Sequence, residues 1–419
     1  MSPILDELKK IPARVNLDLF DISVFSKDKI REIFRAGKLP TADALVDEFI
    51  LRAVKDGATD IHIEPKDAAL SVRLGSEGVL KTLVSLPKEV GENITNVLKT
   101  RSGVNQFEKK KAQEGRYSVT IAGVTFEIRV NTLPTINGER VALRLFNRTT
   151  TTASTTDLGF SPQNLEKLHH LMRKPSGLVL IAGPSGSGVT TLLNTCMNSV
   201  QSPEKNIITL EQSVEAKLDF ATQIQIPADK SIPLHEMLRS VLRQSPNVLL
   251  LGELRDQEAG VVACEAVLAG ILVFSTLLAN DAIGAIPRLR NFNIAPYWLA
   301  TSLAGVISQK LLRKICPTCR EEYQPTQEEI NYLGSNQFAA YYKGKGCDEC
   351  GGTGYQGRIG THEVLLIDDR MRDAIYKEAL FTELKEAAYS SGFQDFHADT
   401  LVKATEGITT IAEMQRALG

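Results

Sequence analysis

The stretch LVLIAGPSGSGVTT, residues 178–191, constrains this chain more than any other. Leu178 to Ala182 is an unbroken apolar run, which predicts a buried strand. A glycine-rich turn follows, and a helix is expected to open near Thr190. Strand, turn and helix N-terminus together build a phosphate-binding loop. In the pattern G-x-x-x-x-G-K-[ST], glycines let successive backbone N–H groups converge on phosphate oxygens, the lysine neutralises the terminal phosphates, and the hydroxyl holds Mg2+. Gly183, Gly188 and Thr190 fit that pattern, but Val189 stands where the lysine belongs. The candidate nucleotide-binding residues are Gly183, Pro184, Ser185, Gly186, Ser187, Gly188, Val189, Thr190 and Thr191. They read either as a working nucleotide site or as the shell of one.

A chain of 419 residues predicts two to three domains with sizeable cores. Its 48 basic and 50 acidic residues give a net charge of -2. The resulting pI of about 6.4 argues against a nucleic-acid partner, because such binders usually carry a basic excess. No apolar run approaches the roughly 18–20 residues of a membrane span, and MSPILDELKK does not read as a signal peptide. A cytoplasmic protein is expected, docking at a membrane through a partner if at all.

Residues 1–41 are expected to be a linker or lead-in arm with charged helical patches such as SKDKIREIFRAGK. From Ala42, the positions Leu45, Val46, Phe49, Ile50 and Ala53 recur at helical spacing, and Gly57 ends that helix. A hairpin-like alternation, a second helix near 90–100 and further strands with turns at Gly123 and Asn137-Gly138 complete a small α+β domain, 42–147. The Thr-rich stretch 148–160 is expected to be a flexible linker that lets the domains rotate. In 161–419, strands LVLIA, IITLE, VLLLGE and ILVFST alternate with helices, which argues for an α/β domain with a mainly parallel sheet. A helical tail is expected over 369–419.

The six cysteines include two C-x-x-C pairs, Cys316/Cys319 and Cys347/Cys350, with 27 residues between them. Two pre-spaced thiolate pairs suit one tetrahedral Zn2+ that holds a hairpin and performs no catalysis; redox pairs are the alternative. Cys196 and Cys264 lie in apolar helical contexts and read as core residues. His62 sits in a strand pattern and His169-His170 on a helix, none with convincing ligand company.

ATDIHIEP, the run from QEGR to GER, VLLLGELRD and GCDECGGTGYQGR, met in that order, resemble the secretion and pilus assembly ATPases, the type II secretion and type IV pilus extension family. The likeness covers nearly the whole chain from about residue 42. It implies a RecA-like P-loop domain with a zinc-binding insertion at 316–350, a hexameric ring of one or two kinds of subunit, and inner-membrane platform partners. About 40 residues precede the second domain, so the platform-docking domain of the family is expected to be cut down or absent. By resemblance, Glu253 is the glutamate that polarises the attacking water; the alternative is an exposed carboxylate at a strand end. Glu211 and Glu215 belong to the aspartate box, where Gln212 and Ser213 replace Asp and Pro. The histidine-box framework Ser275, Thr276, Asn280, Asp281 and Arg288 is present, but Ile271 and Leu278 replace both histidines. The family's D-P-D reads Ser245-Pro246-Asn247. Arg116, Arg129, Arg140 and Arg144 are implied to reach the nucleotide, the alternative being ion pairs or a solvated strand face.

The losses are all of charge or of imidazole, read as lying at one site, while the glycines and cysteines remain. The expected function is therefore an assembly subunit with weak ATP/Mg2+ binding and impaired hydrolysis, beside an active paralogue or alone. The alternative is an active ATP-driven motor that manages without the lysine.

Overall fold

The computed structural model describes residues 12–13, 15–17, 21, 40–76, 78–147, 154–212, 214–226, 232–334 and 340–419. The readings of SKDKIREIFRAGK and of the first part of the Thr-rich stretch lie outside these residues. The chain divides into two compact units, Met1–Thr150 and Thr151–Gly419.

In the first unit, helix Ala42–Lys55 begins at Thr41, whose Oγ1 accepts from the Ala44 N–H at 3.2 Å. Six antiparallel strands follow: β1 Asp60–Pro65, β2 Ala69–Ser76, β3 Val79–Pro87, β4 Gln113–Ile121, β5 Val124–Thr135 and β6 Gly138–Asn147. The sheet order is β3-β2-β1-β6-β5-β4. The stretch read as a hairpin is thus a three-stranded meander. Ile61, Ile63, Val72, Ile128 and Val141 alternate onto one face, where they pack with Phe49 and, from helix Gly91–Arg101, with Ile94 and Leu98. Beneath this layer, the buried Lys99 Nζ meets Glu139 Oε1 at 2.5 Å and donates to the Glu108 carbonyl at 2.6 Å. A lysine is tolerated there because both its charge and its protons are answered.

The second unit is a seven-stranded sheet of order β15-β12-β7-β11-β10-β8-β9. Its strands are β7 Gly177–Ala182, β8 Ile207–Glu211, β9 Thr222–Gln225, β10 Val248–Glu253, β11 Leu272–Leu277, β12 Leu303–Ile315 and β15 Tyr355–Leu366; β13 Arg320–Tyr323 and β14 Tyr341–Gly344 form a separate ribbon. All neighbours pair parallel except β12 with β15. Residue parity splits the core. Leu178, Leu180 and Ala182 face helices Leu234–Leu242 and Gln257–Leu268, whereas Val179 and Ile181 face helices Pro162–Met172 and Val189–Val200. Burial on both faces explains why these strands read as continuous apolar runs. Four helices, from Asp369 to Leu418, close the chain. Within the stretch read as a linker, Thr155–Leu158 is a 3-10 turn closed by reciprocal bonds between Ser154 and Asp157.

Strand β4 passes so close to the end of helix Gly91–Arg101 that a Cβ on Gly115 would stand 2.5 Å from the Ser102 carbonyl oxygen and 2.7 Å from Val104 Cγ1. Backbone cannot step aside as a side-chain tip can. Gly115→Ala is expected to destabilise the first unit by about 1–3 kcal/mol, read as a lower urea midpoint for its unfolding transition with an unchanged slope.

Candidate functional site

Parallel strands that share a direction present their C-terminal ends together, and there the chain places its polar groups. After Ala182 the chain turns through residues 183–188, with Gly186 at φ +80° and Gly188 at φ +83°, a region that disfavours side chains. Helix Val189–Val200 has no side-chain cap, and its first backbone bond runs from the Leu192 N–H to the Gly188 carbonyl at 3.1 Å. The N–H groups of its first turn are therefore open toward an anion. Ser185, Gly186, Thr190 and Thr191 are exposed, Pro184 and Gly188 are half-buried, and Gly183 and Ser187 are buried. Val189, half-buried, packs against the core and brings no charge.

Glu253 ends β10. The register with β11 slips between Leu251 and Glu253, placing Glu253 opposite Thr276, whose hydroxyl donates to the Gly252 carbonyl at 2.6 Å. The Glu253 carboxylate accepts from Arg255 Nε at 2.6 Å. Glu211, at the end of β8, is held differently. Thr209 Oγ1 donates to it at 2.6 Å and Gln223 Nε2 at 3.2 Å, while burial, and secondarily the charge of Glu215, raises its pKa. Gln223 also binds the Ala216 carbonyl and the Leu218 N–H, so Glu211 is anchored within the loop that follows it.

The missing charges do not share one place. Val189, Gln212 and Leu278 follow or end strands at the site, and Leu278 is exposed there. Asn247 and Ile271 immediately precede β10 and β11, at the opposite end of the sheet, about 16–20 Å away along a six-residue strand. Asn247 Oδ1 accepts the Asn206 N–H at 2.7 Å, and the buried Ile271 N–H binds the Ala266 carbonyl at 3.1 Å. Within one subunit, these two replacements are structural, and the expectation of a single depleted site is corrected to that extent.

The arginines form a row on the outer face of the first unit. Arg116 lies opposite Arg129, Arg129 opposite Arg144, and Arg144 opposite Asp60 across four neighbouring strands. Arg144 Nε donates to Asp60 Oδ1 at 2.9 Å, Arg129 covers the Phe146 ring at 4.6 Å, and Arg116 is 4.0 Å from Glu127. Arg140 is paired with Glu64 at 3.2 Å. Each guanidinium thus has a partner on its own sheet.

The four sulfurs of Cys316, Cys319, Cys347 and Cys350 lie within 4.8 Å of one another. Three separations are 3.9, 3.9 and 3.8 Å. A tetrahedral Zn2+ with bonds of about 2.3 Å requires edges of about 3.8 Å, so the donor set and its spacing fit that ion. The N–H groups of Cys347 and Gly354 each reach Cys350 Sγ at 3.2 Å. These bonds, that of Cys347 foremost, bring the Cys350 pKa down to about 6 and favour the thiolate there, while burial pushes the neighbouring Cys319 thiol up to about 12. A Cβ on Gly344 would meet the Gly354 carbonyl oxygen at 2.1 Å, so glycine there lets the loop that carries Cys347 and Cys350 close on itself.

Two buried residues that bear on the loop belong to no motif of the sequence. Gln309 Nε2 donates to the Ser187 carbonyl at 2.7 Å, and His362 Nε2 is 2.8 Å from Gln309 Oε1. Their one signal there is a lone glutamine in an apolar strand run.

Residues 36–416 match the family described as type II/IV secretion system protein. The chain belongs to this family. It is 38% identical over 377 residues to the type IV pilus assembly ATPase PilB of Thermus thermophilus, covering 89% of this chain and 42% of that protein. It is 35% identical to the type II secretion system ATPase E of Vibrio cholerae, covering 89% of this chain and 74% of that one. The chain therefore spans less than half the length of the first relative and about three quarters of the second. Among solved structures, the Legionella pneumophila ATPase DotB aligns at TM-score 0.65 with 20% identity over 89% of this chain and 94% of its own. The pilus retraction motor PilT aligns at 0.57 with 23% identity over 88% and 95%. These two likenesses establish the fold.

Purified chain is expected to carry one zinc per molecule by elemental analysis. Cys350→Ser should lose it and lower the melting temperature by at least about 5 °C, since 1 kcal/mol moves a domain of this size by about 2–4 °C.

Proposed function

We propose that this chain is a subunit of a type IV pilus or type II secretion assembly machine that keeps the phosphate-loop fold and has very slow hydrolysis or none. The observation that carries the reading is Val189 at the first helical position, half-buried against apolar neighbours. A charge-assisted hydrogen bond is worth about 1.5–3 kcal/mol, or about 10- to 150-fold in affinity. The transition state loses more, because phosphoryl transfer depends on positioned positive charge. Open N–H groups and the exposed Thr190 support weak binding of Mg-ATP, with Glu211 fixed in its loop and Glu253 held by Arg255.

The chain acts as a structural or regulatory member of a hexameric ring, of its own kind or mixed with an active relative. It meets inner-membrane platform proteins from the cytoplasmic side and carries a structural zinc. Among the described residues no helix is long and apolar enough to cross a membrane, and the net charge of -2 offers nucleic acid little. A second reading, an active motor, is favoured by the retained Glu253 and by the row of three arginines.

ATP turnover decides between them. The wild-type chain is expected to show none above background, and Val189→Lys to bind a fluorescent ATP analogue about 10- to 150-fold more tightly. Turnover by the wild type at the rate of an ordinary motor, abolished by Glu253→Gln, would establish the active-motor reading instead.

A further inference from the structure

The carbonyl of Ser187 sits at the centre of the phosphate loop, and it is held from outside the loop. Gln309, 2% exposed, uses its amide nitrogen on that carbonyl at 2.7 Å and its amide oxygen on His362 Nε2 at 2.8 Å. The polarity of this chain is fixed by chemistry. A carbonyl accepts only, so Gln309 must present N–H to Ser187 and oxygen to His362, and His362 must carry its proton on Nε2. Burial supports the neutral ring, pushing its pKa down to about 3.

His362 is in turn fixed on every side. Its backbone N–H donates to Asp399 Oδ2 at 3.0 Å, and Asp399 is paired with the buried Lys403. Its carbonyl accepts from Asn164 Nδ2 at 3.0 Å. Its ring stacks on Phe160 with centroids 3.6 Å apart and planes 15° from parallel. Phe160 and Asn164 belong to the segment by which the chain enters the second unit, which begins at Thr151. Glycines clear the path at both ends. A Cβ on Gly188 would stand 2.6 Å from Gln309 Nε2, one on Gly360 2.5 Å from the His362 ring, and one on Gly159 2.4 Å from Ile359 Cγ1.

We propose that Gln309 and His362 are a positioning pair that ties the conformation of the phosphate loop to the seating of Phe160, so that occupancy of the loop is felt where the chain enters the second unit. Reading 183–191 as a nucleotide-phosphate loop underlies the occupancy part of this proposal. The pair itself is a packed, two-ended linkage. A linkage of this kind is reciprocal: what loosens one end loosens the other by the same free energy. It gives a subunit without hydrolysis something to do with a bound nucleotide, namely to set the conformation at Phe160.

Hydrogen exchange on the full zinc-loaded chain, followed by mass spectrometry, tests it from both ends. Gln309→Met keeps the bulk of the side chain but can neither donate to Ser187 nor accept from His362. It is expected to speed exchange about fivefold in peptides covering 183–191 and also in those covering 155–166. Phe160→Leu, which removes the stack at the far end, is expected to speed exchange in 183–191 as well as locally. Acceleration confined to the mutated end in both variants overturns the proposal, and if one variant does not fold the other still decides. Mg-ATP added to Val189→Lys is expected to slow exchange in both regions, and Gln309→Met in that background to remove the slowing at 155–166 alone. If Val189→Lys binds no Mg-ATP, the nucleotide reading of the loop fails, while reciprocity without nucleotide still upholds or overturns the pair.

Discussion

Burial of the parallel sheet on both faces governs everything else in the second unit. Residues 178–182, 207–210, 248–251 and 272–274 face helices on either side, so a polar side chain mid-strand is costly unless it finds a partner. Chemistry is therefore driven to the strand ends, and the common direction of the strands separates two such ends. One holds the phosphate loop, Glu211, Glu253 and Leu278. The other holds Asn247 and Ile271, where side chains close strand starts. A polar-to-apolar replacement has a different meaning at each end, and only the end holding the loop bears on phosphate chemistry.

The exception to the apolar interior is the antiparallel pair β12 and β15, and it shows the rule at work. Gln309 and His362 are cross-strand neighbours in that pair, and both are buried. They are tolerated because each polar group except His362 Nδ1 finds a partner. The same strand β12 continues to Ile315 and delivers Cys316, so the loop's outside support and the metal knuckle share one backbone. Glu413, fully buried, grips Arg313 on that strand and Arg416 on the last helix, fastening the base of the knuckle to the C-terminus.

Much of this was legible in the sequence because it rests on local signals. Period-3.6 spacing marked helix Ala42–Lys55, apolar runs marked β7, β8, β10 and β11, and C-x-x-C spacing marked four sulfurs that do converge. Strands β9, β12 and β15 were not foreseen. β9 is short and half-exposed, and β12 and β15 pair across an intervening ribbon, so their partners lie far away in sequence. The same reason hid Gln309 and His362, whose roles exist only once residues about 50 and 120 positions apart meet. The location of Asn247 and Ile271 was legible by contrast: each stands at the start of an apolar run, which in a parallel sheet is the end away from the phosphate loop.

Steric demand, rather than phosphate, accounts for two glycines of the loop. Their presence beside Val189 suggests a fold maintained for nucleotide, yet Gly183 and Gly188 are demanded by packing alone. A Cβ on Gly183 would stand 2.8 Å from the Gln309 backbone carbonyl oxygen, and Gly188 holds φ at +83° with its Cβ position 2.6 Å from the buried Gln309 Nε2. A chain that never bound phosphate would still need both. Thr190 is a different case. It is exposed on the first helical turn, with neither packing nor a capping role to retain it. What argues for a remaining anion site is therefore this hydroxyl beside uncapped N–H groups, more than the glycine pattern by which such loops are usually recognised.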